Sequence, residues 1–415
     1  MISVSCCKTD STIRITGDKS VLTLSEQDQQ NLIAFLRDLV TIPSLSGDEK
    51  GVAERLKQEM ERLGFDEVWI DRVGNVVGRI GPGQGPKLLF DGHMDTVGIG
   101  DPQTWFHDPF GAEIKNGVLY GRGACDMKGA LASMVYGAAL LKRSKLPLAG
   151  ALYVVGVVQE EPCEGHAVRL LIEEEGIRPD WVVLGEPSNL QISRGHRGRM
   201  ELYVTVKGRA AHASMPQRGE NAVYNAARLV FALDLLAASL PEDPFLGKGT
   251  LAVTQIYNTG GSRNAIPDSC TLIIDRRLTL GETESKVLAE VQGAVIREGI
   301  RAEMGVTEYH FTSYTGFESK VPQRYPAWVL PEEHLLVQAA AWAVRRVTGE
   351  RPAIGRYNFS TDGAYTMGIA GIPTVGFGPG QESQAHAADE HIRLADCITA
   401  AHVYAQLAAD LLQEA

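Results

Sequence analysis

The sequence predicts a layered α/β fold with a mostly parallel sheet, interrupted by an inserted ferredoxin-like βαββαβ domain. Three observations carry this reading. Apolar runs at 88–90, 151–158 and 181–184 have the continuous character of strands buried on both faces, and helical stretches alternate with them. The pattern changes near Gly198 to strand, helix, strand, strand, helix, strand, then reverts near Pro331. A chain of 415 residues also exceeds what one core of ordinary size fills. The expected division is a discontinuous large domain, 1–197 and 314–415, with an inserted domain at 198–313.

The elements follow in order. Leu32, Phe35, Leu36, Leu39 and Val40 recur at helical spacing after Ser25, and Pro43 ends the run. Ser46-Gly47-Asp48-Glu49 has the form of a capping box, predicting a second helix to about Leu63. A hairpin over 68–80 turns near Gly74-Asn75, and the 81–86 loop leads into the strand that ends at His93. A helix over 127–142 follows, then a strand at 151–158, a helix at 167–175 and a strand at 181–184. The insertion holds strands at 201–207, 251–257, 270–278 and 302–308, with helices at 221–239 and 283–298. The remainder predicts a helix over 333–347, a strand over 372–376 and a terminal helix.

A net charge of -11 argues against nucleic acid or an anionic membrane as the main partner. No stretch is long and apolar enough to span a bilayer, and residues 1–25 lack the basic-then-apolar form of a secretory signal. The six cysteines, Cys6, Cys7, Cys125, Cys163, Cys270 and Cys397, are scattered and contain no CxxC pair. They suit a reducing cytoplasm, which is the location expected.

Carboxylates and histidines stand where buried strands end, at five places. These are His93, Asp126 in a glycine-rich loop entering a helix, the pair Glu160-Glu161, Glu186 and His386. One carboxylate at a strand end is commonly a solvated loop residue. In a parallel sheet, however, strand ends share one edge, so these side chains can converge. Two imidazoles with several carboxylates suit one or two divalent cations of the zinc, cobalt or manganese kind. An adjacent Glu pair allows one to bind metal while the other stays free as a base. Asp95 lies two positions after His93, on the same side of an extended chain. The serine-hydrolase elbow, the dinucleotide fingerprint and the phosphate-binding loop are all absent.

With these residues in view, the chain resembles the zinc aminoacylase/carboxypeptidase group. That group includes acetylornithine deacetylase, succinyl-diaminopimelate desuccinylase and glutamate carboxypeptidase. The resemblance rests on Gly92-His93-Met94-Asp95-Thr96-Val97, the 121–129 loop, Glu160-Glu161-Pro162, Gly185-Glu186-Pro187-Ser188 and Ala385-His386. It looks nearest to the selenium-metabolism-linked hydrolase branch, through 245–250 and 376–380. The resemblance implies two divalent ions, zinc by preference, bridged by Asp126 and a water. His93 and Glu186 would hold one ion, and Glu161 and His386 the other. Glu160 would be the general base, Asp95 the partner that orients His93, and Asp126–Met127 a cis peptide. His212 would reach the site of a partner subunit, implying a homodimer through the inserted domain. Asn264 and Arg277 would hold the substrate's carboxylate; Arg276 is an adjacent rival, and strand alternation lets only one of the two arginines face the substrate, Arg277 being favoured. The implied reaction is amide cleavage in an N-acyl amino acid. Dipeptidase or carboxypeptidase action and N-carbamoyl hydrolysis are the enzymatic alternatives, and a noncatalytic metal-binding relative is the alternative from another class.

Overall fold

Apolar strands buried on both faces form the centre of the molecule. The computed structural model describes residues 21–258 and 260–414, so part of the 1–25 segment, with Cys6 and Cys7, lies outside the described residues. Among them, a nine-stranded sheet runs in the order Glu67–Ile70, Val76–Ile80, Ala151–Val157, Lys87–His93, Trp181–Leu184, Thr374–Gly376, Ile192–His196, Trp328–Val329. Ile354–Tyr357 also pairs with Ile192–His196. The middle strands are parallel: Lys87–His93 lies between Ala151–Val157 and Trp181–Leu184, and Thr374–Gly376 extends the set. Their carboxyl ends therefore share one edge, the edge where ligands collect in open α/β sheets. The flanks are antiparallel.

Helices cover this sheet. Ser25 caps Glu26–Thr41 by accepting from Asp28 N, and the five apolar residues picked out by their spacing are all buried. Gly129–Arg143 is buried almost throughout and packs on the terminal helix Leu394–Leu412. At Gly137 the two backbones approach closely; a Cβ there would stand 2.7 Å from Ala401 O. The expected capping box does not form. Glu49 is the N-cap of Lys50–Arg62 but makes no side-chain cap bond. Ser46 Oγ instead donates to Asp95 Oδ2, and Glu49 Oε1 accepts from Gly47 N and Gln159 N. Both polar groups turn toward the sheet edge instead.

The inserted region has its own sheet, ordered Thr250–Asn258, Ser269–Leu278, Gly198–Lys207, Ala302–Val306. Gly198–Lys207 and Ser269–Leu278 alternate buried and half-buried residues, as strands with one face on a core should. Their inner residues, with Ala222–Ala238 and Glu284–Arg297, make a second hydrophobic cluster around Leu202, Leu229, Leu272 and Val291. Each such buried side chain contributes on the order of 1.5–3 kcal/mol. Past the last insertion strand, Glu308–Thr312 pairs with Glu318–Pro322, a hairpin that straddles residue 313. Arg324–Tyr325 then pairs back onto Gly198–Lys207.

Candidate metal centre

The buried run Leu88, Leu89, Phe90 carries the central strand to its end at His93, itself 1% exposed. His93 Nδ1 stands 2.9 Å from the carbonyl oxygen of Asp95, an acceptor, so Nδ1 carries a proton. That arrangement leaves Nε2 as the atom available to an ion. Nε2 is 3.1 Å from Asp126 Oδ1 and 3.9 Å from Glu186 Oε1. The Asp95 carboxylate does not play its expected part. It lies 3.7 Å from Nδ1, beyond a hydrogen bond, so the backbone of Asp95 orients the imidazole. Its side chain accepts instead from Ser46 Oγ at 2.7 Å, Glu160 N at 3.0 Å and Glu161 N at 3.3 Å.

Asp126 sits in a turn at Ala124–Lys128 before the long buried helix, and the Asp126–Met127 peptide is cis. Glu390, fully buried, fastens that turn. Its carboxylate accepts from Arg122 Nη1 at 2.7 Å, Gly123 N at 3.0 Å, Cys125 N at 2.8 Å and Asp126 N at 2.9 Å. Asp126 thus presents Oδ1 to His93 while Oδ2 stands 3.4 Å from His386 Nε2. His386 Nε2 is also 2.9 Å from Glu161 Oε2. One carboxylate lies between two imidazoles.

The Glu160-Glu161 pair follows Ala151–Val157 in a strained turn. Gln159 adopts a left-handed φ of 50°, uncommon outside glycine. It is clamped on three sides: Gln159 N donates to Glu49 Oε1, Nε2 to Thr312 O at 2.9 Å, and Tyr309 Oη donates to its Oε1 at 2.8 Å.

The electrostatics are those of crowded anions. Burial and neighbouring carboxylates push Glu160 and Glu186 well above the usual carboxylate range. Burial opposes ionisation of Asp126 too, but hydrogen bonds from His386 and His93 outweigh it and hold Asp126 low. Hydrogen bonds to Asp126 and Glu161 raise His386 to about 10. Glu160 Oε1 and Glu161 Oε1 are buried with no hydrogen-bond donor. Buried carboxylate oxygens without donors are costly unless a cation meets them. Among the described residues, two groups offer ligand atoms within 4.8 Å of one another: His93, Glu160 and Glu186, and His93, Asp126 and Glu161. Imidazole and carboxylate donors in this number fit zinc, cobalt or manganese.

Asp126, Glu160, Glu161, Glu186 and His386 line a cavity of about 300 Å3 together with Glu164, Arg199, Arg277, Phe359, Ser360 and Glu382. Arg277 faces the cavity, whereas Arg276 is fully buried and paired with Glu282. His212 and Asn264 do not line it within this chain. They lie together on the inserted region, where Ala211–His212 pairs with Ala265–Ile266 and His212 Nδ1 meets Ser214 Oγ. Glu390, Glu164 and Glu382 escape sequence reasoning. Glu390 falls in the same run as His386, but nothing in its spacing distinguishes it from a solvated loop acid.

A family model described as peptidase family M20/M25/M40 matches residues 89–410. The chain belongs to this family. It is accordingly a hydrolase of amide or peptide bonds. The protein YgeY of Escherichia coli K12 is 42% identical over 390 residues, covering 94% of this chain and 96% of that one. Succinyl-diaminopimelate desuccinylase of Marinobacter nauticus is 28% identical over 392 residues, covering 92% and 98%. Among solved structures, the M20 metallo-carboxypeptidase Sso-CP2 of Sulfolobus solfataricus superposes with a TM-score of 0.72 at 19% identity, covering 92% of this chain and 98% of that one. The Bacillus subtilis YXEP protein, a dinuclear metal-binding peptidase of the family, gives 0.68 at 17% identity, covering 94% and 99%. At such identities the structures show the shared fold. No helix among the described residues is long and apolar enough to cross a membrane.

Proposed function

We propose that the protein is a dinuclear metal-dependent amidohydrolase acting on a small carboxylate-bearing amide, with N-acyl amino acids the leading class. The observation that carries this reading is the placement of Asp126 between His93 and His386, beside a Glu160 whose Oε1 is buried and without a donor. His93 and Glu186 would hold one ion and Glu161 and His386 the other, with Asp126 shared and zinc favoured over cobalt or manganese. When bound, such ions supply a water of lowered pKa and polarise the scissile carbonyl. Glu160 takes the proton from the attacking water and delivers it to the leaving amine. Asp95 holds Glu160 in place through its backbone N–H. Arg277, which lines the same cavity and is paired with the half-buried Asp275, receives the substrate's carboxylate, a task closed to Arg276, which is fully buried on Glu282.

His212 and Asn264 complete the site of a second copy in a cytoplasmic homodimer formed through residues 198–313. Two features support this. Tyr224, Phe231 and Leu235 are exposed at helical spacing on Ala222–Ala238. Ile256 and Tyr257 are exposed on the neighbouring edge strand Thr250–Asn258. An apolar face beside an open sheet edge is a pairing surface.

The decisive experiment loads metal-free protein separately with zinc, cobalt or manganese and screens N-acyl amino acids, dipeptides and N-carbamoyl amino acids. Glu160→Gln should keep its metal and lose about 10²- to 10⁴-fold in kcat. Equal turnover by this variant would refute the reading.

A further inference from the structure

A second cavity, of about 280 Å3, lies between the helix His166–Glu174, the strand Glu318–Pro322 and the segment 324–326 that returns the chain from the inserted region. It shares with the metal-centre cavity one lining residue, Glu164. Three cations line it, Arg169, Lys320 and Arg324, in a chain whose net charge is -11. Among the described residues, Glu164 is the one carboxylate in its wall, and it is already engaged. Its Oε1 accepts from Arg199 Nη1 at 2.7 Å and from Ser360 Oγ at 2.6 Å.

The cations differ in how they are held. His166 is 4% exposed, and burial with the adjacent Arg169 pushes its pKa down to about 4, so the ring is neutral. Its Nδ1 accepts from Arg169 Nη2 at 3.2 Å, and its Nε2 donates to Ser319 Oγ at 2.8 Å. A buried ring thus steadies the half-buried guanidinium before any ligand arrives, which lowers the ordering cost of binding. The other links are solvent-facing ion pairs, Arg169 with Glu173 and Arg324 with Glu284. Such pairs hold weakly and yield to a competing anion. Lys320 is exposed and has no hydrogen bond or ion pair among the described residues. Val321, Pro322 and Ile369 give the same cavity an apolar side, with Ile369 64% exposed.

Cations beside apolar surface, with no free carboxylate, complement a molecule that carries negative charge on an apolar body. A bare inorganic anion would use the cations and leave the apolar side in water. We infer that this cavity is an accessory binding site for a small organic anion. Its charged group meets Arg169, Lys320 and Arg324, and its body lies on Val321, Pro322 and Ile369. A carboxylate and a phosphate monoester share this chemistry. The inference is independent of the metal chemistry, because no proposed ligand and no proposed base lines this cavity.

Calorimetric titration of the metal-loaded protein with two matched pairs tests it: hexanoate against acetate, and phenyl phosphate against inorganic phosphate. In at least one pair the organic member should bind with a Kd several-fold or more below that of its bare head group. The pair that does so identifies the charged group. Lys320→Gln combined with Arg324→Gln alters only exposed side chains, so the fold should survive, and that Kd should rise about tenfold or more. A Kd unchanged in the double variant places the anion elsewhere, such as on the bound ions, and overturns the inference. No saturable binding of either organic anion, or equal affinity within both pairs, overturns it as well.

Discussion

Replacing Glu390 with Gln tests how the turn bearing Asp126 is held. The substitution preserves volume, and the amide oxygen can still accept from Cys125 N and Asp126 N. Its NH2 group, however, would face Arg122 Nη1 and Gly123 N, both donors that now meet a carboxylate oxygen. Arg122 is 2% exposed, so its guanidinium would be left buried without its counter-charge. Stripping one partner from a buried pair costs about 3–5 kcal/mol, and the misdirected amide at Gly123 adds to it. Unfolding in urea should be measured on metal-free protein, so that lost ion binding does not enter the difference. Metal content is then read separately after reloading, and should fall because losing the Arg122 and Gly123 contacts loosens the turn that carries Asp126. Stability within about 0.5 kcal/mol of the unaltered protein, the range of an inconsequential surface change, would refute the reasoning. So would full metal occupancy.

Three other outcomes are expected. Asp95→Asn removes charge and one acceptor oxygen from a group serving Ser46, Glu160 N and Glu161 N. It should retain metal and lose about tenfold or more in kcat through a loosened Glu160; an unchanged kcat would sink the positioning role. Gln159→Gly relieves the left-handed φ yet discards the bonds to Tyr309 and Thr312, whereas Gln159→Ala keeps the strain and discards the same bonds. Both should lower kcat, and full activity in the glycine variant would show that the clamp is idle. His196 is buried as a neutral ring, with Nδ1 donating to Arg197 O and Nε2 facing Thr361 N, and burial pushes its pKa down to about 4. Because the unfolded ring binds a proton near pH 6.5, stability is complete above that value and falls as pH drops toward 4. Unfolding curves at pH 7 and 4.5 should diverge less in His196→Asn, and equal divergence would contradict this account.

The parts of the fold legible in the sequence are those whose residues meet one environment throughout. Leu88–Phe90, Ala151–Val157 and Trp181–Leu184 are buried on both faces, so each is a continuous apolar run. Ile192–His196 contains Ser193, Arg194 and Gly195, and Trp328–Val329 is only two residues, so neither carries a period that a strand reading can use. Ser46 and Glu49 mislead for a different reason: their spacing is that of a cap, but a nearby carboxylate and the Gln159 amide compete for them. In the site, residues at carboxyl ends of parallel strands come together because the sheet itself brings them there. Glu390 and Glu164 act across more than 30 positions of chain, through groups that no local pattern records. The carboxylate of Asp95 shows a third limit. Alternation places it beside His93, yet the contact is made by its own backbone.

The order of these groups along the chain has a consequence for biosynthesis. His93, Asp126, Glu160, Glu161 and Glu186 all precede the inserted region, whereas His386 and the Glu390 that steadies Asp126 come after it. A nascent chain emerging from the ribosome therefore displays most of the proposed ligands while the last imidazole is still untranslated. The proposed ligand set is therefore complete only once the C-terminal segment has docked.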